Sequence, residues 1–173
     1  MPDSTSPHPF VSYLETLAED RAALAALRRG LGQPTGTAAE MYPYVVPRLP
    51  VGLSQAEQNV YFTVAALYAY HPASTGEGNL GNHLRQAVHS PEDLPAVERR
   101  FVVLLNTHPD DLDDHLRQTV GFLRSKDLPV NWHQLLRDIR AWGHPQRYIQ
   151  RRWANAFWRA PDDQPAPGAP ENE

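Results

Sequence analysis

NWHQLLRDIRAWG, residues 131–143, is a helix written out in full. Asn131 is an N-cap residue, whose side chain can accept from a first-turn amide. Trp132, Leu135, Leu136, Ile139 and Trp142 then recur at spacings of three and four, one inward stripe. Arg137 and Arg140 fall away from that stripe, and Gly143 supplies the stop. The flanks repeat the pattern. On the C-terminal side, Pro145 predicts the first position of a last helix ending near Arg159. With Ile149 set at 0° and about 100° per residue, Trp153, Ala156 and Phe157 fall on the inward side. Arg147, Arg151 and Trp158 fall opposite, and Arg152 and Arg159 flank them with Tyr148.

Working back toward the N-terminus, Thr107, Pro109 and Asp110 predict a helix to about Ser125, with Leu112, Leu116, Val120 and Leu123 inward. Arg117 and Arg124, seven apart, share its outer face, and Lys126 follows. Ser90, Pro91 and Asp93 start a helix to about Asn106. In it Val97, Phe101, Leu104 and Leu105 point inward, Arg100 lies near the buried stripe and pairs with an acid or a partner, and Arg99 is freer. A short helix spans about 79–88, behind a flexible loop holding Gly76, Gly78 and Gly81. Ser54 and Glu57 form a capping box for a helix to about Tyr70. Three prolines limit 37–50 to a short helix and a loop. Phe10, Leu14, Leu17, Leu24 and Leu27 make one apolar stripe, read as a single first helix closed by Arg28, Arg29 and Gly30. No segment alternates with period two. The fold class is all-α, a compact bundle of about seven to eight helices, with room for two small helical subdomains.

The chain has 173 residues, 41% hydrophobic and 21% charged, the proportions of a folded globular chain. Residues 9–160 are read as the folded part. Residues 1–8 and the acidic, Pro-rich 161–173 are read as disordered ends. Without cysteine there is no disulfide, thiolate zinc site or thiol nucleophile. No apolar run reaches the length of a membrane span and MPDSTSPHP is no secretory signal, so the expected location is the cytoplasm.

The net charge of −4 hides its distribution. Residues 1–20 and 161–173 each carry four acids and no base, which leaves 12 acids against 16 bases in between. Within 115–160, nine bases face only Asp127 and Asp138. A basic body with acidic ends suits a polyanion partner, and it equally suits charge matching with a protein. All the bases except Lys126 are arginine, whose planar fork fits phosphate. The candidate nucleic-acid-binding residues are Arg28, Arg29, Arg85, Arg99, Arg117, Arg124, Lys126, Arg137, Arg140, Arg147, Arg151 and Arg152. Trp158 could stack on a base or pack on another subunit. Trp132, Trp142 and Trp153 are read as core.

Little else carries chemistry. His108, Asp110, Asp111, Asp113, Asp114 and His115 form the one metal-like cluster, but acids in a first turn also answer the helix dipole. Successive helical residues diverge by about 100°, so four adjacent carboxylates need not converge. No nucleophile elbow, zinc-protease or nucleotide-loop motif occurs. The expectation is a non-enzyme with no cofactor and no metal. A pure protein scaffold, a metal-dependent nuclease using 108–115 and a helix-turn-helix regulator turning at Gly143 are the alternatives.

Four motifs in order, LRRG at 27–30, LG at 80–81, ERRF at 98–101 and NWHQLLRDIRAWG at 131–143, resemble the small subunit of the type I-E CRISPR Cascade complex, the CasB family. The resemblance covers about 20–159. It implies a helical, non-enzymatic subunit, two copies of which assemble head to tail against the backbone and large subunits. It also implies a basic surface that stabilises the hybrid of CRISPR RNA with target DNA and holds the displaced strand. Arg28 and Arg29 match the family's basic pair, and Arg99 and Arg100 match its ERR motif. After Trp142-Gly143 the family often has consecutive bases; here His144-Pro145-Gln146 precedes Arg147.

Overall fold

A computed structural model describes residues 6–159. Within them lie nine α-helices: α1 Pro9–Thr16, α2 Arg21–Arg28, α3 Tyr42–Val45, α4 Gln55–Tyr70, α5 Leu80–Gln86, α6 Leu94–Leu105, α7 Leu112–Ser125, α8 Trp132–Arg140 and α9 Tyr148–Trp158. Three short 3-10 turns adjoin them. Extended pairing among the described residues is limited to one isolated parallel bridge, Ser74 with Val130. None of these helices is long and apolar enough to cross a membrane. The all-α expectation holds. The tail read at 161–173 lies outside the described residues, as do residues 1–5.

α4 is the axis. The Ser54–Glu57 capping box closes its N-terminus in both directions, and Tyr61, Phe62 and Val64 to Ala69 are all buried. A helix buried on every side shows little amphipathicity, because neighbours cover each face. Here α2, α7 and α8 pack around it. α5 pairs with α9, and α6 bridges α5 to α7. Buried side chains from Phe10 to Phe157 form one contiguous core. Trp132 and Trp153 are fully buried and Trp142 is 2% exposed, as expected. Each such ring contributes about 1.5–3 kcal/mol by leaving water.

Several boundaries differ from the sequence expectation. The single first helix is two. Asp20 accepts from the Ala23 amide at 3.0 Å and starts a new helix after a turn through Leu17. The seven-residue step from Leu17 to Leu24 therefore crosses a break. The last helix begins at Tyr148, not at Pro145: Arg147, at φ 51°, is its N-cap. Gly81 is no loop residue but a buried position in α5, where an added Cβ would sit 2.1 Å from the Trp153 carbonyl oxygen of α9. Gly78 does serve the loop, at φ 75°, a left-handed conformation that suits glycine.

The loop before α5 is tied to the entry of α8. Val130 donates to Ala73 and accepts from Thr75, both at 3.1 Å. The Trp132 indole donates to the Ala73 carbonyl at 3.2 Å, and Asn131 donates to the Gly78 carbonyl at 3.0 Å. The Asn131 amide donates to His83 Nε2 at 3.1 Å. Burial lowers the His83 pKa to about 4, so that ring is neutral and can accept. His8, in the stretch read as disordered, accepts from the Phe10 amide at the start of α1 and donates its own amide to His133 Nδ1.

Candidate nucleic-acid interface

The candidate cations fall into three groups. The first surrounds the C-terminal ends of α2 and α4. Arg28 donates to the Ala69 carbonyl at 3.3 Å, and Arg124 lies 4.8 Å from the centre of the Tyr70 ring. Arg29, at the C-cap of α2, is exposed. Arg117 lies beside Gly32, where an added Cβ would meet its guanidinium at 2.9 Å, and pairs with Asp114 at 3.7 Å. Arg117 and Arg124 thus share one side of α7, as their spacing of seven predicts.

The second group lines a cleft of about 270 Å³ between α6 and α7. Arg99 and Arg100 stand on its α6 side; His115, Gln118, Thr119 and Phe122 form its α7 side. Arg100 lies 4.9 Å from the Phe122 ring centre and Lys126 lies 5.9 Å from it. Of the two expectations for Arg100, the buried acid is not met among the described residues. It is exposed and faces an aromatic ring, not an acid, since a long stem can cross apolar surface and still leave its head in water. Arg99 donates to the Pro95 carbonyl. Arg85, on α5, lies 5.9 Å from the Phe157 ring.

The third group belongs to α8 and α9. Arg137 donates to the Ser6 carbonyl, and Arg140 lies 5.9 Å from the Tyr61 ring. Both are near His8, whose pKa burial, then Arg137 and Arg140, lower to about 4. Arg147 donates to the Leu105 carbonyl at the end of α6. Arg152 is spent inward: it sits 3.6 Å from Asp138, a carboxylate only 1% exposed. Asp138 also accepts from Gln134 at 2.7 Å and from the Trp153 indole at 2.6 Å. Burial pushes the Asp138 pKa up, against those hydrogen bonds. Arg151 is exposed.

The distribution of acids is the decisive electrostatic feature. Among the described residues, no carboxylate lies within 4 Å of Arg28, Arg29, Arg85, Arg99, Arg124, Lys126, Arg140, Arg147 or Arg151, whereas Arg117 and Arg152 each have one. Cations resting on rings and carbonyls keep their charge available to an outside anion.

The acidic cluster does not assemble. Asp110 stays by His108 at 3.4 Å, Asp113 accepts from Thr35, and Asp114 turns to Arg117. Among the described residues no group of three or more His, Asp or Glu is placed to hold a metal ion. Trp158 is 45% exposed; its indole donates to Glu98 at 2.6 Å and its ring lies 5.2 Å from Phe101. The sequence places Arg100 in the ERR motif and His115 in the metal-like cluster, neither of them among the candidate interface residues, and it does not name Gln118 or Phe122. His115, Gln118 and Phe122 step by three and four along one stripe of α7, and that stripe was the available signal.

Residues 23–158 match the family model for the CRISPR-associated protein Cse2. A CRISPR-associated protein Cse2 of Thermus thermophilus is 33% identical over 156 residues, covering 87% of this chain and 89% of its own. The crystal structure of a Cse2-family protein from that organism superposes with a TM-score of 0.77 at 32% identity, over 86% of this chain and 95% of its own. A chain of a CRISPR RNA-guided surveillance complex superposes with a TM-score of 0.73 at 31% identity, over 86% of this chain and 88% of its own.

Proposed function

The chain belongs to the CRISPR-associated Cse2 family, and on that premise we propose that it is the non-catalytic small subunit of a type I-E Cascade surveillance complex. In this role it docks on the backbone and large subunits beside a second copy of itself. It binds the sugar-phosphate backbone of CRISPR RNA, target DNA or the displaced strand without reading sequence. Base pairing supplies the specificity of such complexes, so the protein needs only to hold backbones in place. A displaced strand whose phosphates are neutralised re-anneals less readily, and the R-loop persists.

One observation carries the nucleic-acid part of this reading. Most candidate cations of α2, α6, α7 and α9 have no acidic partner among the described residues, so phosphates would meet charge already exposed. Each phosphate neutralised releases counterions, and on a single strand each contributes about 0.7 to the salt slope of binding.

Fluorescence anisotropy with labelled single-stranded DNA, RNA and duplex, across a salt titration, tests it. The expected result is steep salt dependence, equal affinity across sequences and no strand cleavage with magnesium present. Replacing Arg99, Arg100 and Lys126 together by Ala lowers the slope by about 2 on a single strand. Salt-insensitive or absent binding at low salt would overturn the nucleic-acid reading in favour of a scaffold. Metal-dependent cleavage lost on Asp111→Ala would overturn the non-catalytic one.

A further inference from the structure

The cleft between α6 and α7 is more than a row of charges. Its floor is apolar: Leu84 and Leu104 are 1% exposed, and Val103, 53% exposed, forms part of a wall. Phe122 presents a half-buried ring with Arg100 and Lys126 at 4.9 and 5.9 Å from its centre. At the edge stand His115 and Gln118, whose side chains make no hydrogen bond among the described residues, while the Thr119 hydroxyl is committed to the His115 carbonyl at 2.9 Å. Arg99 adds a third cation at the mouth. Nucleotides combine a flat apolar base, polar base edges and an anionic phosphate, and each has a counterpart here.

We propose that the α6–α7 cleft accepts one unstacked nucleobase of the bound strand, with the base against Phe122 and its flanking phosphates on Arg99, Arg100 and Lys126. Size agrees. Pockets for drug-sized ligands run from about 300 Å³ upward, and 270 Å³ suits something smaller, such as a single base. Stacking on an aromatic ring is sequence-tolerant, because every base has a π-face. The side chains of His115 and Gln118, unpaired among the described residues, can meet the edges of more than one base. The cleft would therefore add a base-dependent but sequence-blind contribution to a site otherwise sensing only phosphates. This inference rests on the nucleic-acid reading above.

The test separates the two. A thymidine oligonucleotide is compared with an abasic deoxyribose-phosphate strand of equal length, so that the charge is constant and only the bases differ. The full chain is expected to bind the thymidine strand roughly 5- to 150-fold more tightly, the range of one stacked base. Phe122→Leu removes most of that preference, and Phe122→Tyr, which keeps the ring, retains it; this pair also separates loss of stacking from misfolding. A 2-aminopurine in the strand reports the same event by a rise in fluorescence as the base leaves its neighbours, a rise that Phe122→Leu abolishes. Equal affinity for both strands, or a preference that survives Phe122→Leu, would overturn the cleft as a base site while leaving phosphate binding intact, and would leave the cleft to a protein partner. No salt-dependent binding to either strand would overturn the nucleic-acid reading, and this inference with it.

Discussion

Replacing Gly81 by alanine tests the close approach of α5 to α9. A Cβ there would stand 2.1 Å from the Trp153 carbonyl oxygen and 2.9 Å from its carbon. Real Cβ atoms do not approach closer than 3.0 Å, so α5 and α9 must part by about 0.9 Å, the difference of 3.0 and 2.1 Å. The obstacle is backbone and cannot rotate aside. Overpacking of this kind costs about 1–3 kcal/mol, here near the upper end because both helices must move. Alanine returns up to about 1 kcal/mol of helix propensity. The net loss is about 2 kcal/mol, or about 4–8 °C in Tm for a chain of this size. Urea and thermal unfolding followed by near-UV circular dichroism will read it, because Trp142 and Trp153, 4.9 Å apart, report this packing. Gly76→Ala is the control: nothing lies within 4 Å of its Cβ, and it should change stability by less than about 0.5 kcal/mol. If Gly81→Ala were as stable as the parent, the α5–α9 contact would be wrong.

Asp138→Ala strips the acceptor from the buried Trp153 indole and the Gln134 amide and leaves Arg152 without its ion pair; it should cost about 3 kcal/mol in urea unfolding, with Asp138→Asn costing less. His83 is held near a pKa of about 4 by burial, below its unfolded value of about 6.5. The unfolded chain therefore binds the extra proton, and the stability of the neutral ring, full above pH 6.5, is lost as pH falls toward 4. The contribution reaches about 3 kcal/mol, and His83→Gln should flatten that part of the stability–pH curve. Arg151→Ala should lower the salt slope for a single strand by about 0.7 without changing Tm, since its side chain holds nothing within the described fold; an unchanged slope would remove Arg151 from the interface.

Much of this was legible in the chain itself, and the failures have identifiable physics. α4 can be read from its capping box and α8 because cap, stripe and stop agree locally; Trp132 and Trp142 follow from the α8 stripe and Trp153 from that of α9. The break before α2 is hard to read because Asp20 serves equally as surface charge or as a cap, and a seven-residue step suits one helix or two. The start of α9 was missed because Arg147 takes its left-handed conformation beside a hydrogen bond to Leu105, 42 residues away. No local rule carries that contact. Gly81 looks like a loop residue in the sequence because its constraint is the carbonyl of a distant helix. Of the site, helical phase identified the outward arginines, but it could not show that Arg152 turns in to Asp138 or that α6 and α7 open a cleft over Phe122.

The loop before α5 is pinned to the start of α8, α8 covers α4, and α9 covers α5. The last two helices thus close both the first half of the molecule and the middle. During synthesis the buried face of α4 stays open to solvent until α8 has left the ribosome, and Gly81 has no partner until α9 follows. Growth from the N-terminus cannot lay down a finished half ahead of time, as chains of independent domains do. The chain must wait for its final segment, so a premature stop anywhere before α9 would leave an apolar face for chaperones to guard rather than a shorter working subunit.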